Sequence, residues 1–593
     1  MALNKILSGL LQSFSDKYSL TDLTDTKLYE YLVNYLVVSK FHPDAFSDLQ
    51  DLEKIDIDQR SMFGLDAIAF IVNENLVINK SDIDIYARSK SLDVKIIFIQ
   101  TKTEEKYDTG AILKTINAVK NFFGDRRLLE NSSNLQNAIE IFEELCAFKY
   151  SKYFTSRSID VLIYYVTAAK PCEEKLVFDI CESENKNIKK TIGEIKQSNI
   201  FVLGSDYIID SYNEIENRIE VIINFKNNLS LDKIEKVEQS YLGYLPGDDY
   251  LKMITDKQGN LRRRLFYENV RDFQGDDNTV NKEISATIET ADLQDKFILL
   301  NNGVTVVAKY FKALGSNSYE MRDFQIVNGC QTSNVIYLSK KHAKEILVPI
   351  KIIHTNDIDL ISKIVKATNR QTPVPKEAFI TLERYHKLIQ EIFETYSKEM
   401  PLQIYYERRS GEFQFLERKL LSYQIINLHS LIRGITSVYF QDAYVVHNNN
   451  PANILRNRAD KLFNEDHKLE VYYISNYLLA LLSVLQYNKK MSVQDLKVKY
   501  YIVMVVRSLL AGKTKVGMLN SEETEKEAKR IISILKTDQK KAENAFTNAH
   551  TIITQSINEY RKGKDIFLER ILRDPEFNQL VGQKTKEFLS VKK

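Results

Sequence analysis

The first third of the chain alternates long apolar runs with single polar residues. Residues 26–38 (TKLYEYLVNYLVV) place apolar side chains at helical spacing, and Thr24 or Asp25 precedes them as a capping residue. Isoleucine- and valine-rich runs predict buried strands, and one apolar stripe predicts a second helix; these segments are 66–72, 94–101 and 159–167 for the strands and 110–123 for the helix. The order helix, strand, strand, helix, strand predicts an α/β unit whose sheet is buried on both faces.

The pattern changes after about residue 235. Short apolar strands alternate there with Asn-Gly pairs, and the Asn302-Gly303 pair between apolar runs predicts a hairpin turn. From about residue 376 the apolar spacing becomes helical and stays so to the end. We therefore expect three parts: an α/β domain over 1–230, an α+β domain over 235–375 and a mainly helical region over 376–593.

Composition limits the cellular setting. The chain has 593 residues, of which 44% are hydrophobic and 27% charged, the balance of a folded globular protein. No apolar run approaches the roughly 20 residues that span a bilayer, and the amino terminus resembles an amphipathic helix more than a signal peptide. The four cysteines show no metal-binding spacing. These features predict a cytoplasmic protein without a membrane partner.

The formal net charge is only +2, which argues against a protein that coats DNA non-specifically. Contacts with phosphate groups must then come from local basic patches, for which the sequence offers Arg262, Arg263, Arg264, Arg408 and Arg409.

Three polar residues interrupt the apolar runs of the first part. Asp66 precedes one predicted strand, while Gln100 and Lys102 end the next long one, two positions apart and so on one face. Oxygen ligands, a cation and a positioned water are what phosphodiester hydrolysis requires. This arrangement is similar to the D…(E/Q)xK signature of restriction-endonuclease-like folds. It predicts that Asp66 and Gln100 hold Mg²⁺ or Mn²⁺ while Lys102 activates water and stabilises charge, and Glu30 on the preceding helix is a further candidate ligand.

Each of these assignments has a competing explanation. Gln and Lys are ordinary solvent-facing residues at a strand end, and an acid on an amphipathic helix, such as Glu30, often lies on its wet face. Asp82 and Asp84 are rival metal ligands that lie closer to Gln100 in sequence than Asp66 does.

Several longer motifs resemble those of the AIPR (abortive infection phage resistance) family. Residues 92–123 are similar to the segment that this family has near its nuclease site. Five motifs follow in the family's order: FYENVRDFQG (266–275), NNGVTVV (301–307), IVNGCQTSN (326–334), ATNRQTPV (367–374) and YERRSGEF (406–413). The resemblance spans about residues 25–435 and implies a bacterial antiviral role with an amino-terminal restriction-endonuclease-like nuclease.

The middle motifs carry amides and guanidinium groups of their own. A strand that ends at Asn328-Gly329, followed by a helix beginning near Thr332 or Ser333, would direct free backbone amides outward, as anion sites do. Two interpretations stay open: a second polar pocket for nucleic acid, a nucleotide or a phage-derived trigger, or a network of caps and turns. The residues concerned are Arg271, Asn302, Asn328, Gln331, Asn369, Gln371, Arg408 and Arg409.

Together these features predict a metal-dependent nuclease of phage defence, acting by abortive infection and with DNA favoured over RNA. The alternative is a protein that binds nucleic acid or a phage trigger without cleaving it. The apolar carboxy-terminal helices are either a simple core or a platform for a partner or a second copy of the chain.

Overall fold

Two β-sheets follow one another along the chain, and a helical region comes after them. The computed structural model describes all residues except 1–4, 19, 21–22, 44, 47–48, 58–63, 88–90, 125–132, 155–158, 194, 217–218, 257–258, 267–278, 370–383, 409–411, 414–419, 459, 564–565 and 592–593.

The first sheet and its helices occupy the amino-terminal part. The elements are α1 (Lys5–Tyr18), α2 (Asp25–Ser39), α3 (Leu49–Ile55), β1 (Ala67–Val72), β2 (Asn75–Val77), α4 (Ile83–Tyr86), β3 (Val94–Lys102), α5 (Thr109–Phe123), α6 (Ser133–Leu145), β4 (Ile159–Thr167), α7 (Lys175–Thr191), β5 (Ile195–Leu203) and α8 (Ser205–Glu216), with 3-10 turns at Lys80–Asp82 and Phe148–Tyr153. The five predicted elements, now α2, β1, β3, α5 and β4, lie within one residue of their expected limits.

The strand order of the first sheet is β2-β1-β3-β4-β5. Strand β1 runs antiparallel to β2 and β3, while β3, β4 and β5 are parallel. Alternate residues of each strand enter different cores, because side chains of a strand point to opposite faces in turn. Ile97 and Ile99 pack with α1 and α2, whereas Ile96 and Phe98 pack with α5 and α6. The expectation of a sheet buried on both faces is confirmed.

The second sheet has the order β6-β10-β9-β11-β8-β7, with β9 and β11 its parallel pair. This part contains β6 (Glu220–Asn224), β7 (Asn227–Ser230), β8 (Gln239–Pro246), α9 (Gly247–Ile254), α10 (Thr279–Glu289), α11 (Ala291–Gln294), α12 (Phe297–Leu300), β9 (Val304–Gly315), β10 (Ser318–Asn328), α13 (Cys330–Leu338), β11 (Leu347–His354) and α14 (Ile358–Asn369), with 3-10 turns at Arg263–Phe266 and Lys340–Glu345. Strands β6 and β7 precede the boundary expected at 230–235, so the second sheet begins earlier than the sequence pattern indicated.

The prediction of a hairpin turn at Asn302-Gly303 is wrong. Residues 297–300 form helix α12, so no strand precedes the pair. The tight turn between β9 and β10 lies instead at Ser316 and Asn317, which both adopt positive φ. A two-residue turn of this kind needs positive φ at both central positions.

The described residues of the last part form helices and turns apart from one short parallel strand pair. Its elements are α15 (Arg384–Ser397), β12 (Tyr405–Tyr406), β13 (Ile425–Ile426), α16 (Leu428–Val438), α17 (Ala443–Asn448), α18 (Pro451–Asn457), α19 (Glu470–Tyr487), α20 (Val493–Lys497), α21 (Lys499–Ala511), α22 (Glu522–Thr537), α23 (Gln539–Tyr560), α24 (Leu568–Leu572) and α25 (Pro575–Val591), with a 3-10 turn at Ser422–Gln424. The apolar sides of α19, α21 and α23 pack against one another, as Leu478, Val503 and Ile553 illustrate. Their apolar stripes are therefore core. Among the described helices, none is both long and apolar enough to cross a membrane.

The helical region packs directly against the first domain. Arg433 of α16 donates to both carboxylate oxygens of Asp51 in α3, at 2.9 and 2.8 Å. Asn453 of α18 donates to Asp82 at 2.7 Å. The core that contains α1 and α2 continues without interruption into α16, α19 and α21. These contacts fix α3 and the connection after β2 against the helical region.

Candidate functional site

The candidate site begins where β1 lies beside the end of β3. The antiparallel register pairs Ala67 with Ile99, which places Asp66 next to Gln100. The Asp66 side chain is 7% exposed, and its Oδ2 accepts hydrogen bonds from Gln100 Nε2 at 2.9 Å and from the backbone N and Oγ1 of Thr101, both at 2.7 Å. Burial raises the pKa of Asp66, although the Thr101 hydrogen bonds and the Lys102 charge oppose that shift.

Gln100 has one amide atom with hydrogen-bond partners and one without. Its Nε2 donates to Asp66 and to the Thr101 carbonyl oxygen, and because both are acceptors, the amide must present its nitrogen to them. The other amide atom, Oε1, therefore points away from these two acceptors, and it is buried and without a hydrogen bond. A Cβ added to Gly64 would lie 3.6 Å from this oxygen. A buried carbonyl oxygen without a donor is uncommon and is suited to an ion or an ordered water.

Glu30 lies inside the protein, on the side of α2 that faces this site. It is completely buried, which excludes the wet-face explanation. Burial and the nearby Asp66 charge raise the pKa of Glu30 to about 8, although Lys27 opposes the shift. Lys27, one turn earlier, contacts Glu30 Oε1 at 2.5 Å and Asp56 Oδ2 at 2.5 Å. Thr24 caps this helix by accepting a hydrogen bond from the Lys27 backbone N.

Lys102 is the last residue of β3 and is partly exposed. Its positive charge opposes the rise in the pKa of Asp66, which shows that the two side chains interact electrostatically. The structure thus brings Asp66, Gln100, Lys102 and Glu30 to one end of the β1–β3 pair. Sequence reasoning missed Thr101, Lys27 and Asp56. For Lys27 the sequence did offer a signal, because residues three apart on a helix, such as Lys27 and Glu30, can form an ion pair.

The rival acids have other partners. Asp82 is completely buried and accepts hydrogen bonds from the backbone N of Ile78 and Asn79, at 3.2 and 3.1 Å, as well as from Asn453. Burial raises the pKa of Asp82 to about 6 against the opposing effect of those backbone amides. Asp84 is largely exposed and contacts Lys149 and the Tyr150 hydroxyl group. Asp82 therefore stabilises the turn after β2 and connects it to the helical region, whereas Asp84 lies at the surface.

The Arg262–Arg264 patch is used for internal contacts. Arg262 Nε lies 3.3 Å from Glu214, Arg263 forms an ion pair with Glu74, and Arg264 donates to the Ile215 carbonyl oxygen. Arg408 is buried too: its backbone N donates to Glu412 at 3.1 Å and its Nη1 to Gln390 at 3.4 Å. These guanidinium groups thus already have acceptors within the protein, and their interpretation as phosphate contacts stays a prediction.

The middle motifs form a strand, a left-handed glycine and a helix, as expected. Strand β10 ends at Asn328, Gly329 has φ +103°, and α13 begins at Cys330, slightly before the predicted start at Thr332 or Ser333. Of the Asn-Gly motif, Asn301 makes the side-chain contacts: its Nδ2 donates to Thr332 Oγ1 at 3.2 Å and its Oδ1 accepts from the Gly303 backbone N at 2.9 Å.

The other residues of the second pocket are scattered. Asn302 is exposed, Asn328 is partly buried, and Gln331 lies in the first turn of α13. Asn369 is the last residue of α14, and its side chain lies outside the described residues, as do Arg271, Gln371 and Arg409 entirely. The described contacts, from Asn301 and Thr332, are those of a turn network, and the pocket interpretation stays a prediction.

Residues 266–562, half of the chain, match the family described as AIPR protein, and the chain belongs to that family. Membership points to a role in antiphage defence by abortive infection. The match reaches further into the helical region than the expected limit at 435, but it begins after the first sheet and so includes none of the site residues around Asp66. No curated protein and no solved structure matches the chain.

Proposed function

We propose that the amino-terminal domain is a metal-dependent nuclease that hydrolyses phosphodiester bonds of nucleic acid, with DNA as the favoured substrate, and that this activity serves antiphage defence. One observation carries the proposal: Asp66, Gln100 and Lys102 come from two neighbouring strands and meet at one point, with the carboxyl group of Glu30 beside them. The strand order around this point, with β1 antiparallel and β4 parallel to β3, is consistent with a restriction-endonuclease-like fold.

The residues present suit a divalent cation. Two buried carboxyl groups with raised pKa values lie close together, and a cation would relieve their repulsion. Gln100 Oε1 adds a buried carbonyl oxygen without a donor. Asp66, Gln100 and Glu30 would hold Mg²⁺ or Mn²⁺, which would supply Lewis-acid polarisation of the phosphodiester.

The protein groups around this position would divide the remaining work. Thr101, through two donors on Asp66 Oδ2, keeps that carboxylate in one orientation. Lys102 is partly exposed and so can reach a phosphate oxygen, where its ammonium group would stabilise the charge that develops in the transition state.

A second candidate function, binding without cleavage, has one observation in its favour. Within the described residues, no three histidine, cysteine, aspartate or glutamate side chains are arranged to hold a metal ion. An amide at position 100, in place of a second strand carboxylate, weakens metal binding at any such site.

The test is incubation of the purified full-length chain with plasmid, single-stranded DNA and RNA, with Mg²⁺, with Mn²⁺ or with EDTA. We expect metal-dependent cleavage that Lys102→Ala lowers by about a hundredfold or more. The matched control is Lys526→Ala, an exposed lysine of α22, which should cleave normally. Full cleavage by Lys102→Ala, or cleavage in EDTA, would contradict the proposal. Binding of nucleic acid without any cleavage would favour the second candidate.

A further inference from the structure

We propose that Lys27 is a built-in cation of this site, occupying the position that a second divalent ion would take, so that the site binds a single metal ion. The inference rests on the proposed function and specifies the ion stoichiometry of the same site.

The contacts of the Lys27 ammonium group are those of a bridging cation. Its Nζ lies 2.5 Å from Glu30 Oε1 and 2.5 Å from Asp56 Oδ2, so these two oxygens are within twice that distance of each other. In two-metal hydrolases the second ion likewise lies between carboxylates, about 3.5–4 Å from the first. Lys27 therefore fills the space between two acids where another ion would have to bind.

The backbone brings Asp56 to the candidate site. Residue 56 forms an isolated β-bridge with Ala67, and the Ile57 backbone N donates to the Asp66 carbonyl oxygen at 3.1 Å. Asp56 thus pairs with the residue that follows Asp66, and its charge, like that of Asp66, raises the pKa of Glu30.

The Lys27 side chain is held firmly in this position. Its Nζ lies 4.8 Å from the centre of the Tyr31 ring, and the Tyr31 hydroxyl group donates to the same Asp56 oxygen at 3.3 Å. The lysine side chain is 23% exposed and its partner Glu30 is completely buried. Because a mobile surface lysine makes no such set of contacts, this ammonium group is preorganised.

Charge balance also favours one metal ion. The cluster contains the carboxyl groups of Glu30, Asp56 and Asp66 and the ammonium groups of Lys27 and Lys102. These five groups carry at most one net negative charge, which a single divalent ion more than offsets. A second divalent ion would add two further positive charges to this cluster of five groups.

The test counts Mn²⁺ ions per chain on the purified protein, by isothermal titration calorimetry and by loss of the free-Mn²⁺ electron paramagnetic resonance signal. Wild type should bind one ion. Lys27→Met, which keeps the length of the side chain and removes its charge, should bind two. Adding Asp56→Asn to that variant should restore one. The matched control is Lys95→Met, because Lys95 forms an ion pair with Asp93 at the opposite end of β3 and should leave the count at one.

The outcomes separate this inference from the proposed function. Two ions on wild type would overturn the inference and leave a metal-dependent nuclease intact. One ion on both wild type and a folded Lys27→Met would show that Lys27 replaces no metal ion. No ion on wild type would overturn both. Circular dichroism checks folding, and Lys27→Gln, which keeps a hydrogen-bond donor, replaces the methionine variant if that protein does not fold.

Discussion

The ion pair between Arg433 and Asp51 connects the part of the chain that matches the AIPR family with the amino-terminal domain, and its removal gives a strong test of the structure. We consider Arg433→Met, which keeps most of the side-chain volume and removes the guanidinium group. Asp51 is 2% exposed and Arg433 is 4% exposed, and two hydrogen bonds of 2.8 and 2.9 Å join them. Burial alone would raise the pKa of Asp51, but Arg433, together with Lys54, keeps it below its ordinary value.

The expected cost follows from leaving a carboxylate buried without its main partner. Breaking one side of a buried ion pair typically costs about 3–5 kcal/mol. Lys54 Nζ lies 3.6 Å from the same carboxylate and retains part of the compensation, so we expect the lower end, about 3 kcal/mol. Helices α3 and α16 should then open about a hundredfold more often. Glu53 and Lys497 join the same two regions at 3.9 Å but are more exposed, so Lys497→Met should cost less than about 1 kcal/mol.

Hydrogen exchange measured by mass spectrometry reports local opening of both helices without requiring the whole chain to unfold in one step. The set comprises wild type, Arg433→Met, Asp51→Asn and the double variant. If the pair acts as a unit, the double variant should cost clearly less than the two single changes added together. Free-energy costs that simply add in the double variant would refute the reasoning. So would hydrogen exchange in α3 that is as slow in Arg433→Met as in Lys497→Met.

Three further predictions concern other positions. The pKa of Asp82 is raised to about 6 in the folded protein, so the folded state holds a proton that the unfolded state lacks between about pH 4 and 6, and stability falls as pH rises through that window. Asp82→Asn should therefore raise the melting temperature relative to wild type more at pH 7.5 than at pH 5, and an equal difference at both pH values would contradict this. Gly303→Ala should destabilise more than Gly315→Ala in thermal melts, because both glycines have positive φ but an added Cβ at Gly303 would also lie 2.8 Å from the Pro349 carbonyl oxygen, while at Gly315 it would contact nothing. Gln100→Glu should lower the melting temperature in EDTA, because it replaces two donated hydrogen bonds with repulsion, and should recover more stability with Mn²⁺ than wild type does; equal Mn²⁺ shifts would argue against a metal at this position.

The first sheet could be predicted from sequence because its signals are local. Runs such as VKIIFIQT leave no doubt about a buried strand, and the helices beside them show regular apolar spacing. The polar residues that interrupt the apolar runs mark the ends of β1 and β3 to within one residue, although such continuous apolar runs leave the register open. Asp66 and Gln100 thus came together in the structure at the strand ends where they were expected.

The Asn302-Gly303 pair shows where local signals fail. The same dipeptide that favours a hairpin also suits any loop that needs one residue with positive φ. Gly303 has φ +77° and passes close to Pro349, so the glycine serves a close approach of two backbones. Only the position of β11, more than forty residues later in the chain, reveals this.

The charged neighbours of the candidate site were beyond prediction for a different reason. Lys27 and Asp56 lie in ordinary polar contexts in the sequence, and their contact depends on how α2 packs across the end of β1. The arginine patches show the converse: three consecutive basic residues suggest a phosphate contact, but Arg262 and Arg263 meet acidic residues contributed by α8 and by the β1–β2 turn. Sequence reveals which charges exist, whereas tertiary packing decides which of them are neutralised.

Helix α3 joins the two parts of the molecule that the sequence suggested separately. Arg433, within the residues that match the family, binds Asp51 near the start of this short helix, and Asp56, directly after its last residue, binds Lys27. A rigid helix of 7 residues transmits a displacement of one end to the other, because its backbone hydrogen bonds do not stretch. The distance between Lys27 and Asp56 therefore depends on where the helical region holds α3. For this reason the amino-terminal site and the family-matched region form one unit, although the family match itself stops short of the site.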